Sequence, residues 1–277
     1  MSLEIGIVNP YLERVRKLDD LSSYILKFES GVAEINARDL THKEVNDLIR
    51  ECVIRGAKKI ILRNVFGQRF IGTRLALNGI KVEIEIHGIP GNDLGAFLAG
   101  HRIVVYGNAQ DGVGNTMDSG EIIVHGRAGD VVAMSMRGGE IYIRDGVGYR
   151  AAIHMKGYME RNPILVIGQS AQDFLGEYMA GGRVVVFGIG IKRHRARYIG
   201  TGMHGGRILI RGTVEEHQLA KEATFSQLTE EDWKLIEKSA EKFCNYFGCE
   251  KDEIIEGDWK VVAPKSKRPY GALYSGE

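Results

Sequence analysis

Seven short segments of this chain share one apolar pattern, and their recurrence limits the possible folds more than any other feature. Their last residues, from Gly88 to Gly212, follow one another at intervals of 19, 19, 19, 23, 20 and 24 residues. In every segment the residues two and four positions before the end are Val or Ile. A period of two places these side chains on one face of a β-strand. The segments are 81–88, 101–107, 120–126, 139–145, 162–168, 182–188 and 206–212.

This spacing predicts a parallel β-solenoid. A unit of about twenty residues that holds one strand cannot bury its own apolar face, so successive units must stack. The predicted fold is therefore mainly β, with about seven to eight coils. Residues 58–64 are the predicted eighth coil, in which Ile60 and Leu62 point inward. Of the 36 glycines, 26 lie between Gly88 and Gly212, where tight corners between coils require positive φ angles.

The opposite face of the predicted strands is apolar as well. Three positions before each segment end, six of the seven residues are apolar, and Glu85 is the exception. Two interpretations are open: a terminal helix or loop covers this row, or the row is a docking surface for a partner or a second copy. The six apolar residues are Val104, Ile123, Tyr142, Leu165, Val185 and Leu209.

The segments that flank the repeats are candidates for covering the open edges of the stack. We divide the chain into an N-terminal α/β segment of residues 1–57, the β-helix of residues 58–213, and a C-terminal helix and tail of residues 214–277. Both flanking segments are predicted to contain α-helix.

Local patterns place the elements within these flanks. Helical spacing runs from Leu12 to Ile25, after a start signal at Asn9-Pro10. Residues 32–37 alternate as a strand does, and residues 260–277 are predicted to be an irregular tail. Two capping boxes predict the starts of two further helices. They pair Thr41 with Glu44 and Thr229 with Asp232.

Composition excludes several classes of function. The formal charge of +1 lacks the basic excess that is usual in nucleic-acid and membrane-surface proteins. The sequence shows no signal peptide, no long apolar run and no lipidation motif, which predicts a soluble cytoplasmic protein. Its 3 cysteines are too few for a disulfide framework, and we interpret Cys244 and Cys249 as thiols.

Few patterns carry chemistry. Residues 200–205 match G-x-G-x-x-G, but a strand follows them where a dinucleotide site needs a helix. His87 and His125 share an outward position two coils apart, roughly 10 Å, too far to bind one metal ion together. No aligned pair of turn carboxylates recurs on a strand face. We therefore predict no catalytic, cofactor-binding or metal-binding residue. The turn carboxylates are Asp111, Asp118, Asp130, Asp145 and Asp173.

One basic cluster stands out. Residues 192–197 read Lys-Arg-His-Arg-Ala-Arg and lie in the longest connection between predicted strands. Such a run is either a solvated loop or a contact for an anionic patch on a partner or a bound anion. We assign Arg193, Arg195 and Arg197 to a possible partner interface, which their replacement by Ser tests.

Longer stretches of the chain resemble the GXGXG domain, the C-terminal β-helix domain of the glutamate synthase large subunit. The same module occurs as the β-helix subunit of formylmethanofuran dehydrogenase. The resemblance covers roughly residues 58–265. Its most specific stretches are 62–75, 91–98, 107–117, 177–186, 202–207 and 259–264.

The resemblance implies a right-handed β-helix without a catalytic residue of its own. In glutamate synthase this domain holds the glutaminase and FMN/iron–sulfur synthase domains in relation to each other. Here no Cys follows Met1, and the sequence lacks a cysteine set for an iron–sulfur cluster and an FMN barrel. The resemblance therefore implies a scaffold subunit of a split glutamate synthase. A glutaminase subunit and an FMN/iron–sulfur synthase subunit are its expected partners, and the cofactors are expected on them.

Three alternatives stay open at this point. The chain could be the β-helix subunit of a formylmethanofuran dehydrogenase complex. It could be a free-standing β-helix enzyme acting on carbohydrate or acyl groups. It could also be a homo-oligomeric structural protein that uses the apolar outer row.

Overall fold

The structure, a computed structural model, describes residues 18–75 and 79–266. Within these residues the core is one sheet of 12 strands. The strands β2 to β10 are parallel and lie side by side in chain order. The strands are β1 (Ile25–Glu29), β2 (Val32–Asn36), β3 (Lys59–Phe66), β4 (Glu83–Ile89), β5 (Ala99–Tyr106), β6 (Ser119–Val124), β7 (Glu140–Ile143), β8 (Ile164–Ile167), β9 (Ala180–Val186), β10 (Gly205–Arg211), β11 (Ala223–Ser226) and β12 (Trp259–Pro264).

The helices lie outside the repeats. Helix α1 (His42–Ile54) connects β2 to β3, while α2 (Glu230–Phe247) and α3 (Lys251–Ile255) follow the last coil. Short 3-10 helices span Leu18–Tyr24 and Glu216–Gln218. The described helices therefore belong to the flanks, as the sequence predicts.

The predicted solenoid is confirmed, with about eight turns from β3 to β10. Ile84, Ile103 and Ile122 are direct partners in successive strands, and each is fully buried. The predicted eighth coil is β3, where Ile60 and Leu62 are fully buried. Aliphatic columns thus run along the inside of the stack, and their burial is the main apolar contribution to its stability.

The predicted register is wrong in the coil of residues 162–168. Here Leu165 and Ile167 point inward, because they pair with Ile141 and Ile143 of β7. Val166 consequently replaces Leu165 in the outer row, where it is fully buried. All four residues of β8 are apolar, so alternation could not indicate which face is inside.

Each coil turns through a six-residue corner of unusual backbone. The first, third and fifth residues have φ angles of 51–87°, the left-handed region, while the second and sixth are buried. Hydrogen bonds join neighbouring corners, as from Phe97 N–H to the Asn115 carbonyl at 2.9 Å. These bonds hold even Phe and Tyr in a conformation that they rarely adopt. The corners are 70–75, 93–98, 112–117, 131–136, 150–155, 174–179 and 198–203.

The third corner position is fitted to the inner column that faces it. A Cβ on Gly95 would lie 2.5 Å from Ile122 Cδ1, and one on Gly176 would lie 2.6 Å from Ile208 Cδ1. Where this position is Ala152, the same register places Val184 opposite, which has no δ methyl group. Small corner residues and long inner side chains therefore compensate for each other along the stack.

Antiparallel strands close both ends of the sheet. Strand β1 pairs with β2 at one end, and β12 pairs with β10 at the other, followed by β11. The predicted irregular tail is wrong at its start, because residues 260–264 belong to β12; residues 267–277 lie outside the described residues. These reversals cover strand edges that would otherwise pair with other chains.

The N-terminal helix is only partly as predicted. Its start signal at Asn9-Pro10 lies outside the described residues. Leu18–Tyr24 form a 3-10 helix, and Ile25 begins β1 where a helix was predicted. The strand predicted at 32–37 is β2. Both predicted capping boxes are confirmed, at Thr41 and at Thr229.

Helix α2 covers the apolar outer row, which confirms the first of the two interpretations of that face. Ile236, Ala240 and Phe243 of α2 pack in one buried cluster with the row. Polar contacts fix the helix at its edges: Lys242 Nζ lies 2.8 Å from Glu140 Oε2, and Tyr246 donates to Glu121 at 2.6 Å. The row residues in this cluster are Val104, Ile123, Tyr142, Val166, Val185 and Leu209.

A disulfide joins Cys244 of α2 to Cys249, just before α3. The interpretation of these two residues as thiols is therefore wrong. They flank Gly248, which ends α2 in the left-handed conformation and turns the chain back on itself. Cys52 is a buried free thiol in α1, and burial raises its pKa to about 11. That thiol consequently stays protonated and unreactive.

Candidate partner interface

The basic cluster lies in the connection between β9 and β10. Its side chains alternate: Arg193, Arg195 and Arg197 are exposed, while His194 and Ala196 are buried. A parallel bridge between Arg193 and Thr213 shows that this part of the connection is extended. The extended backbone therefore directs all three predicted interface residues toward solvent on one side.

Buried side chains fix this connection from beneath. Gln218 donates to the carbonyl oxygens of His194 and Ala196 at 3.0 and 2.7 Å, and its own carbonyl accepts the Glu215 N–H. His194 Nε2 donates to the Arg211 carbonyl at 2.9 Å. Burial lowers the pKa of His194, which favours its neutral form. The arginine side chains thus project from a backbone that is held in place.

The three arginines line one open depression of about 430 Å³, together with His194, His217 and Gln218. Two of them have distant carboxylate neighbours: Arg193 lies 3.4 Å from Glu215, and Arg197 lies 3.8 Å from Asp173. In the described residues Arg195 makes no ion pair. Such exposed pairs contribute little to stability, so the cations remain available to acidic groups on another molecule.

An aromatic ridge that sequence reasoning missed continues from this depression. Tyr198 follows Arg197 directly and stacks on Phe174 at 5.0 Å between ring centroids. The guanidinium of Arg150 lies 5.2 Å from the Phe174 ring. Tyr198, Phe174 and Arg150 each occupy the first corner position, so the recurrence of the six-residue corner was the signal that could have found them. Exposed Tyr and Arg are the residue types enriched at protein interfaces.

The remaining sequence candidates have structural roles. Residues 200–205 lead into β10, a strand, as predicted. Asp111 Oδ1 accepts the N–H of Asp130 at 2.8 Å, and Asp130 in turn accepts the N–H of Tyr149 at 2.9 Å. These carboxylates therefore link one coil to the next and do not converge on a groove.

The two outward histidines belong to an aromatic stack. Tyr106 lies between His87 and His125, with ring centroids 4.9 Å from each, and Phe247 packs against His125 at 5.0 Å. Burial lowers the pKa of both histidines. In residues 18–75 and 79–266 no group of three His, Cys, Asp or Glu side chains could hold a metal ion. None of the helices described there is long and apolar enough to cross a membrane.

Comparison with known proteins agrees with this geometry. Residues 41–268 match the GXGXG motif family. The chain is also 49% identical over 251 residues to a protein of Methanocaldococcus jannaschii described as uncharacterized, a match that covers 87% of this chain and 95% of that protein. This chain therefore belongs to the GXGXG motif family, whose module forms the C-terminal domain of the glutamate synthase large subunit.

Proposed function

We propose that this protein is a non-catalytic scaffold subunit of a split glutamate synthase in the cytoplasm. In this role it positions a glutaminase subunit and an FMN/iron–sulfur synthase subunit during glutamate biosynthesis. The match to the GXGXG family over residues 41–268 is the observation that carries the proposal. The FMN and the iron–sulfur cluster belong to the partner subunits in this proposal.

The M. jannaschii relative supports a module that functions as a separate chain. The aligned region makes up 95% of that protein, so the relative consists almost wholly of this module. A chain of this kind can serve glutamate synthesis only if other chains supply the reactive groups. The rigid stack suits positioning, because its coils are joined by hydrogen bonds in both the strands and the corners.

The depression of Arg193, Arg195 and Arg197 is the surface we assign to one of these contacts. Its cations project from a fixed backbone and continue into the ridge of Phe174 and Tyr198. Cations and aromatic rings on a rigid support match an acidic partner surface with an apolar rim. The expected contact is therefore sensitive to ionic strength.

Co-purification from the native organism tests the proposal. We expect a glutaminase and an FMN/iron–sulfur synthase subunit to elute with the tagged chain. Replacing Arg193, Arg195 and Arg197 together by Ser is expected to reduce recovery of one of them. The matched control replaces Lys58, Lys81 and Arg127 by Ser, which removes the same charge from exposed positions elsewhere.

Other outcomes contradict the proposal. Co-elution of tungsten or molybdenum dehydrogenase subunits would identify a formylmethanofuran dehydrogenase complex instead. Turnover of a carbohydrate or acyl substrate by the isolated chain would exclude a pure scaffold. Undiminished recovery of both partners by the arginine variant at raised salt would remove the assigned interface while leaving the scaffold role standing.

A further inference from the structure

A second depression, of about 530 Å³, lies beside the corners of the middle coils. It is separate from the depression of Arg193, Arg195 and Arg197. Three cations and one carboxylate line it, with a hydroxyl, an imidazole and a phenol between them. The lining side chains are Arg137, Lys156, Arg161, Asp118, Ser135, His154 and Tyr158.

The charges in this depression do not balance. Arg137 Nη1 and Arg161 Nη1 lie 3.8 and 3.6 Å from the same oxygen, Asp118 Oδ1. Both distances exceed a normal hydrogen bond, so the guanidinium donors remain available. Lys156 makes no ion pair with any residue of the described ranges. Two positive charges are therefore left without a partner at a point where two guanidinium groups converge.

The wall of the depression is a local departure from the repeat. The coil that ends at Gly168 is 23 residues long, and in it Tyr158 and Arg161 exchange two backbone hydrogen bonds of 3.0 Å in a tight turn. The Arg161 guanidinium lies 5.3 Å from the Tyr158 ring. A Cβ on Gly138 would lie 3.0 Å from Arg161 Cβ, so this glycine makes room for the arginine stem. The turn thus holds Arg161 against its neighbouring coil.

We propose that this depression binds a small dianion, a phosphate monoester or a dicarboxylate. Its uncompensated charge of two matches such a ligand, and guanidinium forks bind both phosphate and carboxylate oxygens. Its volume is that of a small-molecule site, larger than a single inorganic ion needs. Ser135 and Tyr158 add hydroxyl donors beside the cations. The proposal stands independently of the glutamate synthase assignment.

Isothermal titration calorimetry at low ionic strength tests the site with inorganic phosphate, succinate and acetate as probes. We expect a dianion to bind more tightly than acetate, and Arg161→Gln to weaken that binding about tenfold or more, because a charge-assisted hydrogen bond is lost. Lys156→Gln is expected to act in the same direction. Arg127→Gln is the matched control, since Arg127 is exposed and outside the depression.

The relative affinities identify the ligand class. Preference for phosphate supports a phosphate ester, preference for succinate supports a dicarboxylate, and equal affinity supports recognition by charge alone. The proposal is overturned if neither dianion binds better than acetate, or if Arg161→Gln and Lys156→Gln bind as the wild type does. Thermal unfolding of each variant verifies that the fold is retained.

Discussion

Two kinds of coil meet in this solenoid, and their side chains do different things. From Gly88 to Asp145 each coil has 19 residues, whose side chains mostly fill the interior, join neighbouring coils or lie beneath α2. The coils that end at Gly168 and Gly212 have 23 and 24 residues, and their added residues carry cations of the two depressions. Repetition thus specifies the fold, and departures from it hold the candidate binding surfaces.

The largest expected effect comes from a charge in a regular coil. Val124 is fully buried in an inner column. Val124→Asp places an unpaired carboxylate between aliphatic neighbours, so we expect a loss of about 4 kcal/mol or more, enough to prevent folding. Circular dichroism and thermal unfolding measure this. Arg127→Asp, just after the same strand, is the exposed control, and a Val124→Asp variant that melts as the wild type does would contradict the inward assignment.

The second prediction tests the fit between corners and columns. Gly95→Ala brings a Cβ to 2.5 Å from Ile122 Cδ1, at a residue whose φ is +65°. We expect a loss of about 2–4 kcal/mol from overpacking and backbone strain. Adding Ile122→Val removes the opposing methyl group and should restore part of this loss in urea unfolding. No recovery in the double variant would mean that strain alone sets the cost.

The third prediction concerns the docking of α2. Burial by itself raises the pKa of Asp232, but hydrogen bonds from Arg207 and Thr229 outweigh it and lower the pKa below the ordinary value. A lowered folded-state pKa stabilises the fold above about pH 4, and this contribution is lost as the pH falls through the folded value. Asp232→Asn should cost about 1–3 kcal/mol at pH 7 and flatten this part of the pH dependence.

Urea unfolding at pH 7 and pH 3 measures both quantities for Asp232→Asn. Asp258→Asn is the control, because Asp258 is exposed and close to the same end of the sheet. An Asp232→Asn variant with the pH dependence of the wild type would show that this carboxylate does not couple the helix to acid stability.

The smallest expected effect on stability lies in an irregular coil. Replacing Arg193, Arg195 and Arg197 by Ser should change the free energy of unfolding by less than about 1 kcal/mol in total, because their ion pairs are exposed. Differential scanning calorimetry measures it. A much larger loss would mean that the cluster supports the fold and would weaken its assignment as an interface.

The sequence allowed the solenoid, its inner columns and the capping boxes to be predicted, because each follows from a local or repeating pattern. It misplaced β8, where every residue is apolar and both faces are buried. It also treated Cys244 and Cys249 as thiols, since their pairing depends on the turn at Gly248.

The corners and the candidate sites were harder to foresee. Left-handed Phe and Tyr are rare, and only hydrogen bonds from neighbouring coils hold them so. The basic run of residues 192–197 was visible as composition. Its support by Gln218, and the convergence of Arg137 and Arg161, depend on contacts between coils. Such contacts leave no periodic signal in a single sequence.

The antiparallel strands β1 and β12 give the stack a fixed length. A parallel coil cannot be added beyond either of them, so the number of coils sets the separation of the two ends at about 4.8 Å per coil. In such a molecule distance is encoded by counting. Gaining or losing one 19-residue unit shifts whatever is bound at one end by a single strand spacing and leaves each binding surface unchanged.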